Sequence, residues 1–128
     1  MVKDERDSIT ILVIDDDDRI RTLLRDILQY GGFQVIEARD GRSGIECLER
    51  KRFDMVLTDL GMSGMNGWEV VKRVKNKMPH LPVALVTGWG TNLDEEKIRE
   101  SGVDWIIGKP FHVNEILEAV QLFVKNVS

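Results

Sequence analysis

A chain of 128 residues with 42% hydrophobic and 31% charged side chains has the size and balance of one soluble globular domain, able to bury a core without disulfides or structural metals. No apolar run approaches the roughly 20 residues of a membrane span, and a net charge of -4 argues against nucleic acid as the main partner. The single cysteine, Cys47, allows no internal disulfide and reads as a small buried hydrophobe in "GIECLE".

Residues 1–8, "MVKDERDS", are charged and carry no secretory signal, so they read as a solvated leader and point to a cytoplasmic protein. Ile9 to Ile14 form a β-branched run fit for a strand buried on both faces. The first helix follows. An aspartate at 17 or 18 caps it, Ile20, Leu23, Leu24, Ile27 and Leu28 turn to the core, and Gly31-Gly32 ends it. Residues 33–38, "FQVIEA", read as the second strand, and a shorter helix with Ile45 and Leu48 inward comes next.

The pattern then repeats: strand 55–59, helix 68–75, strand 83–87, helix 92–101, strand 105–109 and a closing helix of about 113–125. The last helix turns Val113, Ile116, Leu117, Val120 and Val124 inward. The one before it, "NLDEEKIRESG", has little beyond Leu93 and Ile98 to bury and should be held loosely. The basic groups Arg50 to Arg52 and Lys72, Arg73, Lys75 and Lys77 read as solvated helix ends and faces. Five β/α units with short connections demand an α/β fold, a parallel sheet covered by helices on both faces.

Functional groups collect where these strands end. In an open parallel sheet the ligand crevice lies at the carboxyl edge, and Asp15 and Asp16 end the first strand, Asp59 the third, Thr87 the fourth and Lys109 the fifth. Two like charges about 4 Å apart repel by roughly 4 kcal/mol at an effective dielectric near 20. A hard cation relieves that repulsion, and Mg2+ (or Mn2+) suits all-oxygen donors; beside a lysine and a hydroxyl it forms a device for a phosphoryl group.

These residues carry a family resemblance. The acid pair Asp15 and Asp16, the stretch "DLGMSGMNG" from Asp59 to Gly67, Thr87, and Lys109-Pro110-Phe111 fall in the order and on the elements of a response-regulator receiver domain, over about residues 9–125. The resemblance implies a flavodoxin-like (βα)5 sheet of order 2-1-3-4-5 and two-component signalling. It implies that Asp59 accepts a phosphoryl group from a phosphohistidine donor, a histidine kinase or phosphotransfer protein. Asp16, Asp59 and the Gly61 carbonyl would ligate Mg2+, with Asp15 acting through water. Lys109 would pair with Asp59 and later with the phosphoryl group, Thr87 would hydrogen-bond that group, and the Lys109-Pro110 peptide would be cis. Gly61 and Trp89 hold positions that gate water in similar receivers. Gly88 and Gly90 leave the loop around Trp89 free to move.

Two positions depart from the pattern. Ser63 replaces a proline, which loosens the loop after Asp59, and Ile106 stands where receivers usually carry Tyr or Phe, with Trp105 pointing to the opposite face. Coupling between phosphorylation and a downstream protein docked on the face of helix four, strand five and helix five is therefore expected to be weak or rerouted.

Rival readings are weaker. Asp15 and Asp17 form the D-x-D of a haloacid-dehalogenase-like phosphatase, but Arg19 occupies the position that family gives to Thr or Val, and the chain has no room for a cap domain. A flavodoxin-like FMN site would be repelled by four aspartates. The alternative retained is a phosphorylation-independent interaction module. No output domain is read in the chain, the starting methionine favours a stand-alone form, and a receiver that modifies only itself is not counted as an enzyme.

Overall fold

The computed structural model describes residues 9–88 and 94–124. The leader 1–8, Trp89, Gly90, Asn92, Leu93 and Lys125, on which expectations above fall, lie outside the described residues. The elements are β1 (Thr10–Ile14), α1 (Asp18–Tyr30), β2 (Gln34–Ala38), α2 (Gly41–Arg50), β3 (Met55–Asp59), α3 (Gly67–Lys77), β4 (Val83–Gly88), α4 (Glu95–Ser101), β5 (Trp105–Lys109) and α5 (Val113–Phe123). The alternation read from the sequence is the observed one, with ends moved by one to three residues, most at the start of α4.

The five strands are all parallel in the order β2-β1-β3-β4-β5, the flavodoxin-like α/β arrangement. Every residue of β1 and β3 is buried, because both lie inside the sheet and are covered on both faces. The edge strands β2 and β5 are only partly covered. Alternate side chains feed two cores. Ile11, Val13, Met55, Leu57, Ala84, Val86 and Ile107 pack against Leu24, Ile27 and Leu28 of α1 and Ile116, Ala119 and Val120 of α5. On the other face Leu12, Ile14, Val56, Val83 and Leu85 meet Leu48 of α2 and Val70, Val71 and Val74 of α3.

Two inward assignments and one outward one are corrected. Leu23 is 45% exposed and Val113 44% exposed. The buried line of α1 runs through Leu24, Ile27 and Leu28, which leaves Leu23 on the outer flank of the stripe. Val113 is the first residue of α5 and sits by Ile27 and Tyr30 at a surface recess. Lys75, expected on a wet face, is half-buried: its ammonium pairs with Asp104 at 2.7 Å and donates to the Leu81 carbonyl at 2.8 Å. Ile45 and Cys47 are half-buried against the α2–α3 core. Within α4 only Ser101 is buried, in keeping with its apolar-poor sequence. No described helix is long and apolar enough to cross a membrane.

Gly67 fixes where α3 begins. A Cβ there would stand 2.5 Å from the Asp59 carbonyl oxygen and 2.7 Å from Leu60 Cα, both backbone atoms that cannot yield. Its N–H donates to the Leu60 carbonyl at 2.9 Å, so the first turn of α3 lies directly against the end of β3.

Candidate functional site

The four consecutive aspartates divide into separate tasks. Asp17 is the N-cap of α1, accepting from the N–H of Arg19 at 2.9 Å and of Ile20 at 3.4 Å, and these bonds hold its carboxyl below the usual range. Asp18 is exposed and pairs with Arg21 at 2.5 Å. Asp15 and Asp16 remain for the crevice.

Asp15 continues β1 by donating its N–H to the Ala38 carbonyl at 3.1 Å, which buries the residue completely. Its Oδ1 accepts from the Asp17 N–H at 2.9 Å, whereas Oδ2 is buried without a hydrogen-bond partner. Burial pushes this carboxyl from 3.8 up to about 6; the charges of Asp59 and Asp16 add to the rise, and the Asp17 N–H and Lys109 oppose it. Asp16 is exposed, with Oδ2 at 3.4 Å from the donating N–H of Ser63.

Asp59 closes β3, is 8% exposed, and accepts on Oδ1 from Lys109 Nζ at 2.9 Å. Lys109 reaches across from the end of β5 and stands 3.8 Å from Asp15 Oδ2. One ligand atom each from Asp15, Asp16 and Asp59 lie within 4.8 Å of one another. Register explains the convergence: β1 pairs with β3 through Ile14 and Thr58, and β3 with β4 through Asp59 and Val86, so the strands run out along one rim. Thr87 is buried one residue past Val86 and pairs with Gly108, next to Lys109.

A buried carboxylate oxygen without a partner, beside two more carboxylates, fits a hard divalent cation with oxygen ligands. Gly61 is exposed, and a Cβ there would meet nothing within 4 Å, so the loop after Asp59 leaves the rim open. Asn66 caps α3 through the Glu69 N–H at 3.0 Å and closes that loop. The Lys109-Pro110 peptide is cis. Trp105 and Ile106 part as strand alternation requires: Trp105 meets the Phe123 ring edge-on at 5.8 Å, and Ile106 joins the α2–α3 core.

One contributor has no motif. Arg21 Nη1 donates to the main-chain carbonyl of Asp15 at 2.6 Å, and Nε to Glu37 of β2 at 3.3 Å. Its spacing from Asp18 is the only sequence signal, and that spacing says nothing of the carbonyl.

Comparison with known proteins agrees with this geometry. Residues 11–121 match the response regulator receiver domain family. The polar-differentiation response regulator DivK of Brucella anthropi is 28% identical over 117 residues, covering 90% of this chain and 95% of DivK. The response regulator protein FleR of Pseudomonas aeruginosa is 31% identical over 111 residues, which are 86% of this chain but 23% of FleR. Among solved structures, the Vibrio cholerae chemotaxis protein CheY4 matches with a TM-score of 0.84 and 27% identity, over 90% of this chain and 98% of that one. A CheY-like receiver domain protein from Methanospirillum hungatei JF-1 matches at 0.86 and 25%, over 93% and 95%. With the match running over most of the chain and an acidic triad typical of the family's Mg2+ site at the sheet rim, the chain belongs to the response regulator receiver domains of two-component signalling.

Proposed function

We propose that this receiver takes a phosphoryl group onto Asp59 from a phosphohistidine donor, a histidine kinase or phosphotransfer protein, and presents an altered surface to a downstream protein. The observation that carries the reading is the buried Asp59 carboxylate, held at 2.9 Å by Lys109 beside the unpartnered oxygen of Asp15. Lys109 engages Oδ1, so the other oxygen is the one available to attack phosphorus. The new O–P bond forms as the N–P bond of the donor breaks, and the bonding electrons leave with the imidazole.

Asp16, Asp59 and the Gly61 carbonyl would hold Mg2+ (or Mn2+), with Asp15 acting through water. When bound, the cation screens the carboxylates from the incoming phosphoryl oxygens and neutralises charge as it develops. Lys109 follows the charge from Asp59 to a phosphoryl oxygen. Thr87 donates its hydroxyl to the same group and draws the end of β4 with it. The face of α4, β5 and α5 is where the downstream protein would dock, with Ile106 in place of an aromatic ring making its coupling to phosphorylation weak or rerouted.

The test is intact mass after incubation with acetyl phosphate, with and without Mg2+, for the parent and Asp59→Asn. A cation-dependent gain of one phosphoryl group, lost in Asp59→Asn, is expected. Ile106, with no ring to swing, favours a second reading, a module that binds its partner without phosphorylation. No gain from acetyl phosphate or from a kinase-derived donor would select that reading.

A further inference from the structure

The acid pair is only as well placed as the main chain that carries it. Asp15 and Asp16 lie in the connection between the last residue of β1, Ile14, and the cap of α1, Asp17. A connection of that kind needs partners for its peptide groups. The Asp15 N–H has the Ala38 carbonyl, and the Asp17 N–H has Asp15 Oδ1. The Asp15 carbonyl, which belongs to the peptide joining the two acids, accepts from the guanidinium of Arg21 at 2.6 Å. Rotation of that peptide would move both carboxylates at once.

Arg21 is itself held from two sides. Its Nη2 pairs with Asp18 at 2.5 Å and its Nε with Glu37 Oε1 at 3.3 Å, while Glu37 Oε2 takes Arg25 Nη1 at 3.3 Å. The side chain is 15% exposed, so its three bonds fix one orientation of the guanidinium plane. The same contacts engage the Asp18 carboxylate on Arg21, while Asp15, Asp16 and Asp59 form the acid cluster.

We propose that Arg21 is a positioning residue for the cation site: by clamping the Asp15 carbonyl, it sets the Asp15–Asp16 peptide in the orientation that binds a divalent cation. The inference rests on the cation site put forward above. Groups that orient the ligands of a metal typically change affinity by about 10- to 100-fold when removed. The carbonyl contact asks for a donor, which lysine supplies in part and methionine not at all.

The experiment is calorimetric titration of Mg2+ into the parent chain, Arg21→Met, Arg21→Lys and Asp18→Asn, with amide NMR shifts of residues 15–18 followed in each. Arg21→Met should weaken Mg2+ by about tenfold, Arg21→Lys should recover a large part, and Asp18→Asn should bind within about twofold of the parent. The Asp16 and Asp17 amides of Arg21→Met should shift before any cation is added. A folded Arg21→Met that binds Mg2+ as tightly as the parent would overturn the role of Arg21 alone. A parent that binds no divalent cation would overturn the cation site and, with it, this inference. Should Arg21→Met fail to fold, Glu37→Gln, which loosens the guanidinium from β2 and keeps Arg21, takes its place; a graded loss of Mg2+ affinity supports the role and an unchanged affinity refutes it.

Discussion

The ammonium of Lys109 reaches Asp59 at 2.9 Å but stands 3.8 Å from Asp15, so one cation is shared unequally between two buried carboxylates. Removing it leaves negative charge inside the rim with no counterion. Lys109→Met should lower the stability of the cation-free protein by about 1 to 3 kcal/mol, below the 3 to 5 typical of a broken fully buried pair because Lys109 is partly solvated. Saturating Mg2+ should return much of that loss. Urea unfolding with EDTA and with Mg2+ reads both quantities, and a loss indifferent to Mg2+ would show that Lys109 acts by packing.

Burial gives Asp15 a carboxyl that titrates near 6 in the folded chain against 3.8 when unfolded. Between those values the folded chain holds a proton that the unfolded chain has released, so cation-free stability falls as pH rises from about 4 to about 6 and levels off above. Asp15→Asn should lose this slope and, in EDTA at neutral pH, melt above the parent by the equivalent of about 1 to 3 kcal/mol. Adding Mg2+ should stabilise the parent and leave the variant nearly unmoved. Thermal melts over a pH series decide it; an unchanged slope in Asp15→Asn would assign the titration to another group.

Gly67 and Gly61 flank the same loop with opposite tolerance. Gly67→Ala would drive a Cβ into the Asp59 carbonyl and Leu60 backbone, with an expected cost of about 1 to 3 kcal/mol and slower phosphorylation as Asp59 shifts. Gly61→Ala meets open space and should stay within about 0.5 kcal/mol of the parent. Chemical denaturation and acetyl phosphate kinetics on the two variants check the contrast.

Ile106 is half-buried against the α2–α3 core and carries no ring or hydroxyl. Phosphorylation should therefore produce amide shifts confined to the rim loops, with little response on the outer faces of β5 and α5. NMR of the phosphorylated chain beside Ile106→Tyr and Ile106→Ala tests this. A broad response in the parent that Ile106→Ala abolishes would make Ile106 the conducting residue after all.

Particular residues show what the sequence could carry. Fully buried β1 and β3 appear as mostly apolar runs, broken only by Thr10 and Thr58 and ending in acids, because two covered faces leave little polar alternation. The sequence leaves the cap of α1 open between Asp17 and Asp18, because either aspartate can accept from the first-turn N–H groups, and the structure makes it Asp17; strand order rests on the resemblance, since alternation alone fixes only the class. Leu23 and Val113 were misplaced because periodicity defines a stripe and not its width, and helix ends overhang the sheet. Nothing in the sequence points to the role of Arg21: a carbonyl has no letter in a sequence, so a side chain that serves one leaves no pattern.

Alternate residues of β1, β3 and β4 knit the sheet into two separate cores, while Asp15, Asp16, Asp59 and Lys109 gather along one rim. The sheet thus behaves mechanically as a stiff plate clamped on both sides, with a fringe of short loops at one border. A modification at that fringe can bend its neighbours cheaply but can hardly compress the plate. A change made at Asp59 would then spread sideways around the border, through the loop that Gly67 and Asn66 anchor to α3.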